Sequence, residues 1–92
     1  MKSRTTPAFR KLLSSLPQEA RQQATEAYRL FQQDPRHPSL RFKSVQGSSR
    51  LVSARINLNF RVVGTKTAPD EVLWFWVGTH AEYERLLANR SA

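Results

Sequence analysis

The hydrophobic period of this chain changes once, and the place where it changes limits what the rest can fold into. Up to Gln33 apolar residues recur at helical spacing: Phe9, Leu12, Leu13 and Leu16 fall at i, i+3, i+4 and i+7, and Ala20, Ala24, Ala27, Tyr28 and Phe31 repeat the pattern. After the turn-rich stretch from Asp34 to Ser39 the period drops to two, with Leu40 and Phe42 on one face and Arg41 and Lys43 on the other. A pattern written for a helix does not settle as a strand. The chain is therefore read as helices followed by strands, an α+β arrangement.

Local signals divide these two halves. Lys2 to Thr5 reads as a short edge strand, and Thr6-Pro7 supplies an N-cap and first-turn proline for the first helix. Pro17 restarts the chain, and Asp34-Pro35 stops the second helix, giving an N-terminal αα-hairpin. A strand beginning at Leu40 is expected next, then a turn at Gly47-Ser48-Ser49. From there Val52, Ala54 and Ile56 share one face and Ser53 and Arg55 the other. The following strand has Phe60 and Val62 inward and Arg61 outward. A three-residue connection, Asn57-Leu58-Asn59, keeps both faces consistent: Ile56 lies opposite Phe60, Ala54 opposite Val62, and Arg55 opposite Arg61. Directly opposed like charges destabilise a sheet, so an external anion is expected to balance the two arginines.

The run from Glu71 to Val77, with Trp74, Phe75 and Trp76 between Pro69 and Gly78, reads as a central strand buried on both faces. Thr79-His80-Ala81-Glu82 is a capping box that opens a final helix with Tyr83, Leu86 and Leu87 on one face. The expected fold is an αα-hairpin packed on a small, mainly antiparallel sheet with a short C-terminal helix.

At 92 residues the chain is expected to form a single domain, residues 1–92. It has no cysteine, which excludes a disulfide framework and thiolate metal sites and fits a reducing compartment. The basic N-terminus is not followed by an apolar segment, and no stretch approaches the ~18 apolar residues of a membrane span, so a cytoplasmic location without a membrane partner is expected. The formal charge is +8 with a pI near 11.2. Its distribution is the stronger constraint: between Pro35 and Pro69 lie Arg36, Arg41, Lys43, Arg50, Arg55, Arg61 and Lys66 with no acidic residue among them. Such a stretch attracts a polyanion or an acidic protein.

The element order β, α, α, β, β, β, α and several short motifs together resemble the RelE/ParE superfamily of type II toxin-antitoxin toxins. Thr6-Pro7-Ala8-Phe9 is similar to that family's first strand-to-helix junction, and Leu40 to Gly47 to its leucine, lysine and glycine passage. Arg55-Ile56 and Asn59-Phe60-Arg61-Val62-Val63 resemble its arginine strand and its Tyr-Arg-Val strand. Val72 to Gly78 running into Thr79-His80-Ala81-Glu82-Tyr83 resembles its last strand and terminal helix. The resemblance spans Lys2 to Leu87. It implies a RelE-like fold, an acidic antitoxin partner, and ribosome-dependent mRNA cleavage without a metal or other cofactor; the alternative is a non-catalytic binding protein, either an inhibitor of DNA gyrase or an inactive solitary relative that binds nucleic acid or a partner.

Cleavage of RNA at a ribose 2′-hydroxyl needs cations at the phosphate and a group that moves protons. Arg61 and then Arg55 suit the first task, since a guanidinium matches two phosphate oxygens and stays charged; both match basic positions of nuclease relatives. Lys43, Arg41 and Arg50 are candidate RNA contacts, although an exposed lysine such as Lys43 more simply solvates the sheet. His80 follows the last strand, where the resemblance places a basic or histidine functional residue. It reads equally as proton carrier or as surface or packing residue, because a helix start disfavours imidazolium. Tyr83 is a candidate base-stacking residue, but its face, shared with Leu86 and Leu87, favours packing. His37 in Pro35-Arg36-His37-Pro38 reads as a turn residue, and two histidines without cysteine give no metal site. Glu82 is accounted for by the capping box and Glu84 by helix solvation. Nuclease relatives carry a terminal tyrosine, whereas no tyrosine follows Tyr83 here.

Overall fold

The computed structural model describes residues 1–91. In chain order the elements are β1 (Lys2–Thr5), α1 (Pro7–Ser14), α2 (Gln18–Gln33), a 3₁₀ turn (Pro38–Leu40), β2 (Lys43–Ser44), β3 (Leu51–Arg55), β4 (Phe60–Ala68), β5 (Glu71–Thr79) and α3 (His80–Ser91). The strands form one sheet ordered β1-β5-β4-β3-β2, with β1 parallel to β5 and all other pairs antiparallel. The α+β class and the helical hairpin are as the hydrophobic periods require. Among the described residues no helix is long and apolar enough to cross a membrane.

The first helix begins where its cap residues put it. Thr6 Oγ1 accepts the Phe9 amide at 3.0 Å, Pro7 occupies the first turn, and the Thr6 amide donates to the Trp74 carbonyl at 3.0 Å, which ties the helix start to the sheet. Phe9 is buried, and Leu13 and Leu16 pack against the core. Leu12 is 38% exposed, so the predicted apolar face is one residue too wide. The helix is only eight residues long, and it turns its Phe9–Leu13 edge to the sheet.

The expected strand from Leu40 is shorter than its alternation suggested. His37 caps a turn that opens with Pro38, sends Leu40 into the core at 2% exposure, and ends at Arg41 with φ 47° in the left-handed region. An extended ladder cannot run through that angle, so β2 is reduced to Lys43–Ser44. Phe42 still faces inward. It meets Phe31 of α2 edge-on at 4.9 Å, and Phe31 meets Trp74 of β5 at 5.4 Å, joining hairpin, loop and sheet in one aromatic cluster.

The β3–β4 register is the one the three-residue connection demanded: Ala54 faces Val62 and Arg55 faces Arg61. Strand β5 lies between β1 and β4, as expected of a central strand, but only its helix-side face is fully covered. Val72, Trp74 and Val77 are buried, whereas Leu73, Phe75 and Trp76 are half-buried. The register passes from Val63–Trp76 to Gly64–Trp74, leaving Phe75 as an extra residue in a bulge. On the outer face, α3 anchors through Tyr83, whose hydroxyl meets Ser53 Oγ at 3.2 Å.

Truncating Phe31 removes the shared member of the aromatic cluster. Phe31→Ala is expected to lower unfolding free energy by about 3–5 kcal/mol in urea titrations followed by tryptophan fluorescence.

Candidate functional site

Strand alternation decides which side chains can meet at the end of the sheet near the β3–β4 turn. Arg55 and Arg61 are direct register partners, Arg61 in turn faces Gly78 across β5, and all three share the face opposite the αα-hairpin. Arg41 leaves its left-handed corner beside them, and its charge acts on Arg61. The result is a row of guanidinium groups on the rim of the sheet. The next row inward on the same face is Lys43, Ser53, Val63 and Trp76.

Arg61 and Arg55 are held by backbone oxygens. Arg61 Nη1 donates to the Asn57 carbonyl at 2.7 Å and the Phe60 carbonyl at 3.1 Å. Arg55 Nε donates to the Ser39 carbonyl at 3.3 Å, so the 3₁₀ turn capped by His37 positions it. The loop that carries these acceptors is ordered by one side chain: Asn57 Oδ1 accepts the Asn59 amide at 2.7 Å and the Phe60 amide at 2.9 Å, while its Nδ2 donates to Gln23 of α2. Partial burial and the charges of Arg55 and Arg41 hold the Arg61 pKa below its ordinary value, offset in part by Tyr83 and Glu84. Among the described residues none of these arginines is ion-paired with a carboxylate, and like charges pressed together in this way make an anion-binding surface.

His80 reaches this end because α3 starts there. The Thr79 amide donates to Glu82 Oε1 at 2.8 Å and the Glu82 amide to Thr79 Oγ1 at 3.1 Å, the two halves of the capping box, and the His80 amide donates to the Asn59 carbonyl at 2.8 Å. His80 Nε2 lies 3.4 Å from Glu84 Oε1, both side chains being more than half exposed. Gly78 permits the close packing beneath them: a Cβ there would sit 2.6 Å from the Trp76 ring and 2.9 Å from Glu82 Oε1.

The candidates separate accordingly. Arg55, Arg61, Arg41 and His80 come together at one end of the sheet; Lys43 lies one row inward, opposite Ser53. Arg50 precedes β3 at the other end of the strand, roughly 16 Å from Arg55 along an extended backbone, outside the row. Tyr83 is 7% exposed with its hydroxyl on Ser53, a packing position. His37 does more than turn the chain, since its Nδ1 accepts the Ser39 amide at 3.2 Å and thereby holds the carbonyl used by Arg55. Sequence reasoning missed Asn57 and Glu84 as organising residues. The signals were present: an asparagine opening a three-residue turn, and a carboxylate four residues after a histidine on a helix. Among the described residues no group of three or more His, Asp or Glu side chains converges as a metal site.

A family model described as the ParE-like toxin domain matches residues 18–85. The chain belongs to this family. It is a toxin of the RelE/ParE kind, and solved toxin structures share its fold. The toxin in the RelB-RelE complex from Methanococcus jannaschii superposes with a TM-score of 0.72 at 15% identity, covering 90% of this chain and 96% of that one. YafQ from E. coli BL21(DE3) gives 0.69 at 11% identity over 89% and 96% of the two chains, and isolated E. coli RelE gives 0.63 at 15% over 99% and 98%. Comparison with curated protein sequences gives no match.

The capping box that seats His80 carries its own pH signature. Hydrogen bonds from Thr79 hold the Glu82 carboxyl below its ordinary pKa. A carboxyl depressed on folding adds stability that is full above its unfolded value and is lost as pH falls through its folded value. Melting temperatures measured from pH 7 to pH 2 should therefore show a smaller acid-dependent fall for Glu82→Gln, which keeps a capping acceptor but does not titrate, than for the wild type.

Proposed function

We infer that this toxin is a metal-independent, ribosome-dependent mRNA endoribonuclease whose scissile phosphate sits on the arginine row. The observation that carries this reading is the Arg55–Arg61 pair: two opposed guanidiniums, joined by Arg41, with no carboxylate among the described residues ion-paired with any of them. A phosphodiester supplies the missing negative charge, and its two non-bridging oxygens suit a guanidinium fork.

In this mechanism the ribose 2′-hydroxyl gives its proton to solvent water, its oxygen attacks the adjacent phosphorus, and the bond to the 5′-oxygen of the next nucleotide breaks. The products are a 2′,3′-cyclic phosphate and a free 5′-hydroxyl. Arg61 and Arg55 stabilise the charge that builds on the phosphoryl oxygens, and His80 as imidazolium delivers a proton to the leaving 5′-oxygen. Glu84 Oε1, 3.4 Å from His80 Nε2, holds the ring at the start of α3. Lys43 and Arg41 extend the cationic surface along the strand. The partner expected for the free toxin is an acidic antitoxin; the archaeal relatives from Methanococcus jannaschii and Pyrococcus horikoshii were solved as RelE with RelB. Such a segment would neutralise the same row.

A second reading, inhibition of DNA gyrase without nuclease chemistry, is favoured by one observation. The Tyr83 hydroxyl is engaged with buried Ser53, so the tyrosine next to the row is occupied in packing.

Induced expression in a bacterial host, with growth and transcript 5′ ends followed, separates these readings. The nuclease reading expects growth arrest with new 5′ ends, and a loss of cleavage of about 10²–10³-fold in Arg61→Ala that has been checked for folding by circular dichroism. Arrest without new ends, matched by inhibited supercoiling in vitro, moves the assignment to gyrase. Cleavage undiminished in both Arg61→Ala and His80→Ala rules out this site.

A further inference from the structure

One concavity at the same end of the sheet plays no part in the mechanism above. Where α2 passes the β3–β4 turn a recess of about 400 Å³ opens, within the roughly 300–1,000 Å³ of small-ligand sites. Its floor is apolar, formed by Leu30, Leu40 and Ile56. Its polar groups come from two sides, Gln23 and Glu26 on α2 and Asn57 on the turn. Leu58 stands on its rim with 77% of its surface exposed. Arg55 lines it too, and Arg55 is also a member of the arginine row.

We propose that this recess is a nucleobase subsite, which takes the base next to the phosphate held by Arg55 and Arg61 in single-stranded RNA. The proposal rests on the RNA reading given above and adds to it where a base goes and which bases fit. A nucleotide has three chemical parts: an anion, flat apolar faces and a polar edge. The protein presents their complements around the end of β3, where Arg55 belongs both to the arginine pair and to the lining of the recess with its apolar floor and its wall of amides and a carboxylate. An unpaired base can be splayed into such a pocket, whereas a base within a helix cannot.

An exposed leucine on its own is ordinary. Leu58 differs in being carried on a turn that is already fixed. Asn57 Oδ1 bonds two backbone amides within the turn, its Nδ2 bonds Gln23, and Arg61 bonds its carbonyl. The side chain is thus held beside the recess without further ordering of the backbone, and it can cover one face of a base as the base enters.

Glu26 decides both the class of ligand and its specificity. Among the described residues it forms no ion pair. A carboxylate at the wall repels an acidic peptide, whereas a nucleobase is neutral and enters with its phosphate left outside on the arginines. An ionised carboxylate only accepts hydrogen bonds, and cytosine and adenine offer an exocyclic amine where uracil offers an oxygen. The recess therefore selects an amino-bearing base over uracil.

The test is fluorescence anisotropy with 2′-O-methylated oligo(C) and oligo(U), which bind without being cleaved, at one fixed salt concentration. Leu58 and Glu26 are both exposed, so their substitution leaves the core untouched. The wild type is expected to favour oligo(C) by about fivefold or more. Leu58→Ala should weaken both oligonucleotides by roughly three- to tenfold, and Glu26→Gln should erase the preference. Binding that falls in Arg61→Ala, yet is unchanged in affinity and base preference by Leu58→Ala and Glu26→Gln, overturns the subsite and leaves the RNA reading standing. A wild type that binds neither oligonucleotide overturns the subsite, while the RNA reading is decided separately by the transcript 5′ ends.

Discussion

Asn57 sets the geometry on which the functional end of this protein depends. By accepting the Asn59 and Phe60 amides it closes a three-residue turn, and that turn length fixes which residues of β3 and β4 face each other. A slip of one residue would send Ala54 and Val62 to the outer face and bury the arginines. The same turn supplies the carbonyl that holds Arg61 and the carbonyl of Asn59 that receives the first amide of α3. One amide side chain thus determines the strand register, the arginine pair and the approach of His80.

The opposed arginines are a local cost that the rest of the fold offsets. On the helix side, Phe31, Phe42 and Trp74 lock the hairpin, the 3₁₀ turn and the central strand together. On the outer side, Tyr83 fastens α3 to Ser53 beside the arginine row. The like charges cannot relax by moving apart, because both strands are anchored on both faces. An anion seated on the row would relieve this repulsion without any movement of the strands.

Most of the architecture was legible in the sequence because it rests on period and capping, which are local. The change of period at Asp34, the Thr6 cap, the Thr79–Glu82 box and the β3–β4 register all followed from spacing alone. The strand expected at Leu40 shrank because its alternation was real but its backbone was not extended: Leu40 and Phe42 both reach the core, with Arg41 turning through the left-handed region between them. Burial of β5 on both faces was overestimated because hydrophobicity does not report how far α3 extends over the sheet. At the site, the arginines were visible as types and parity, whereas the carbonyls that aim them belong to Ser39, Asn57 and Phe60. Backbone acceptors have no signature in side-chain identity.

The parallel pairing of β1 with β5 has a consequence for how the protein comes into being. Lys2 and Glu71 are sheet neighbours, so the first strand to be synthesised has no partner until almost the whole chain has been made. The sheet is assembled from its edge strands inward in time, with its central strand last, and α3 later still. During translation the arginine row therefore exists without the strand that backs it or the helix that brings His80.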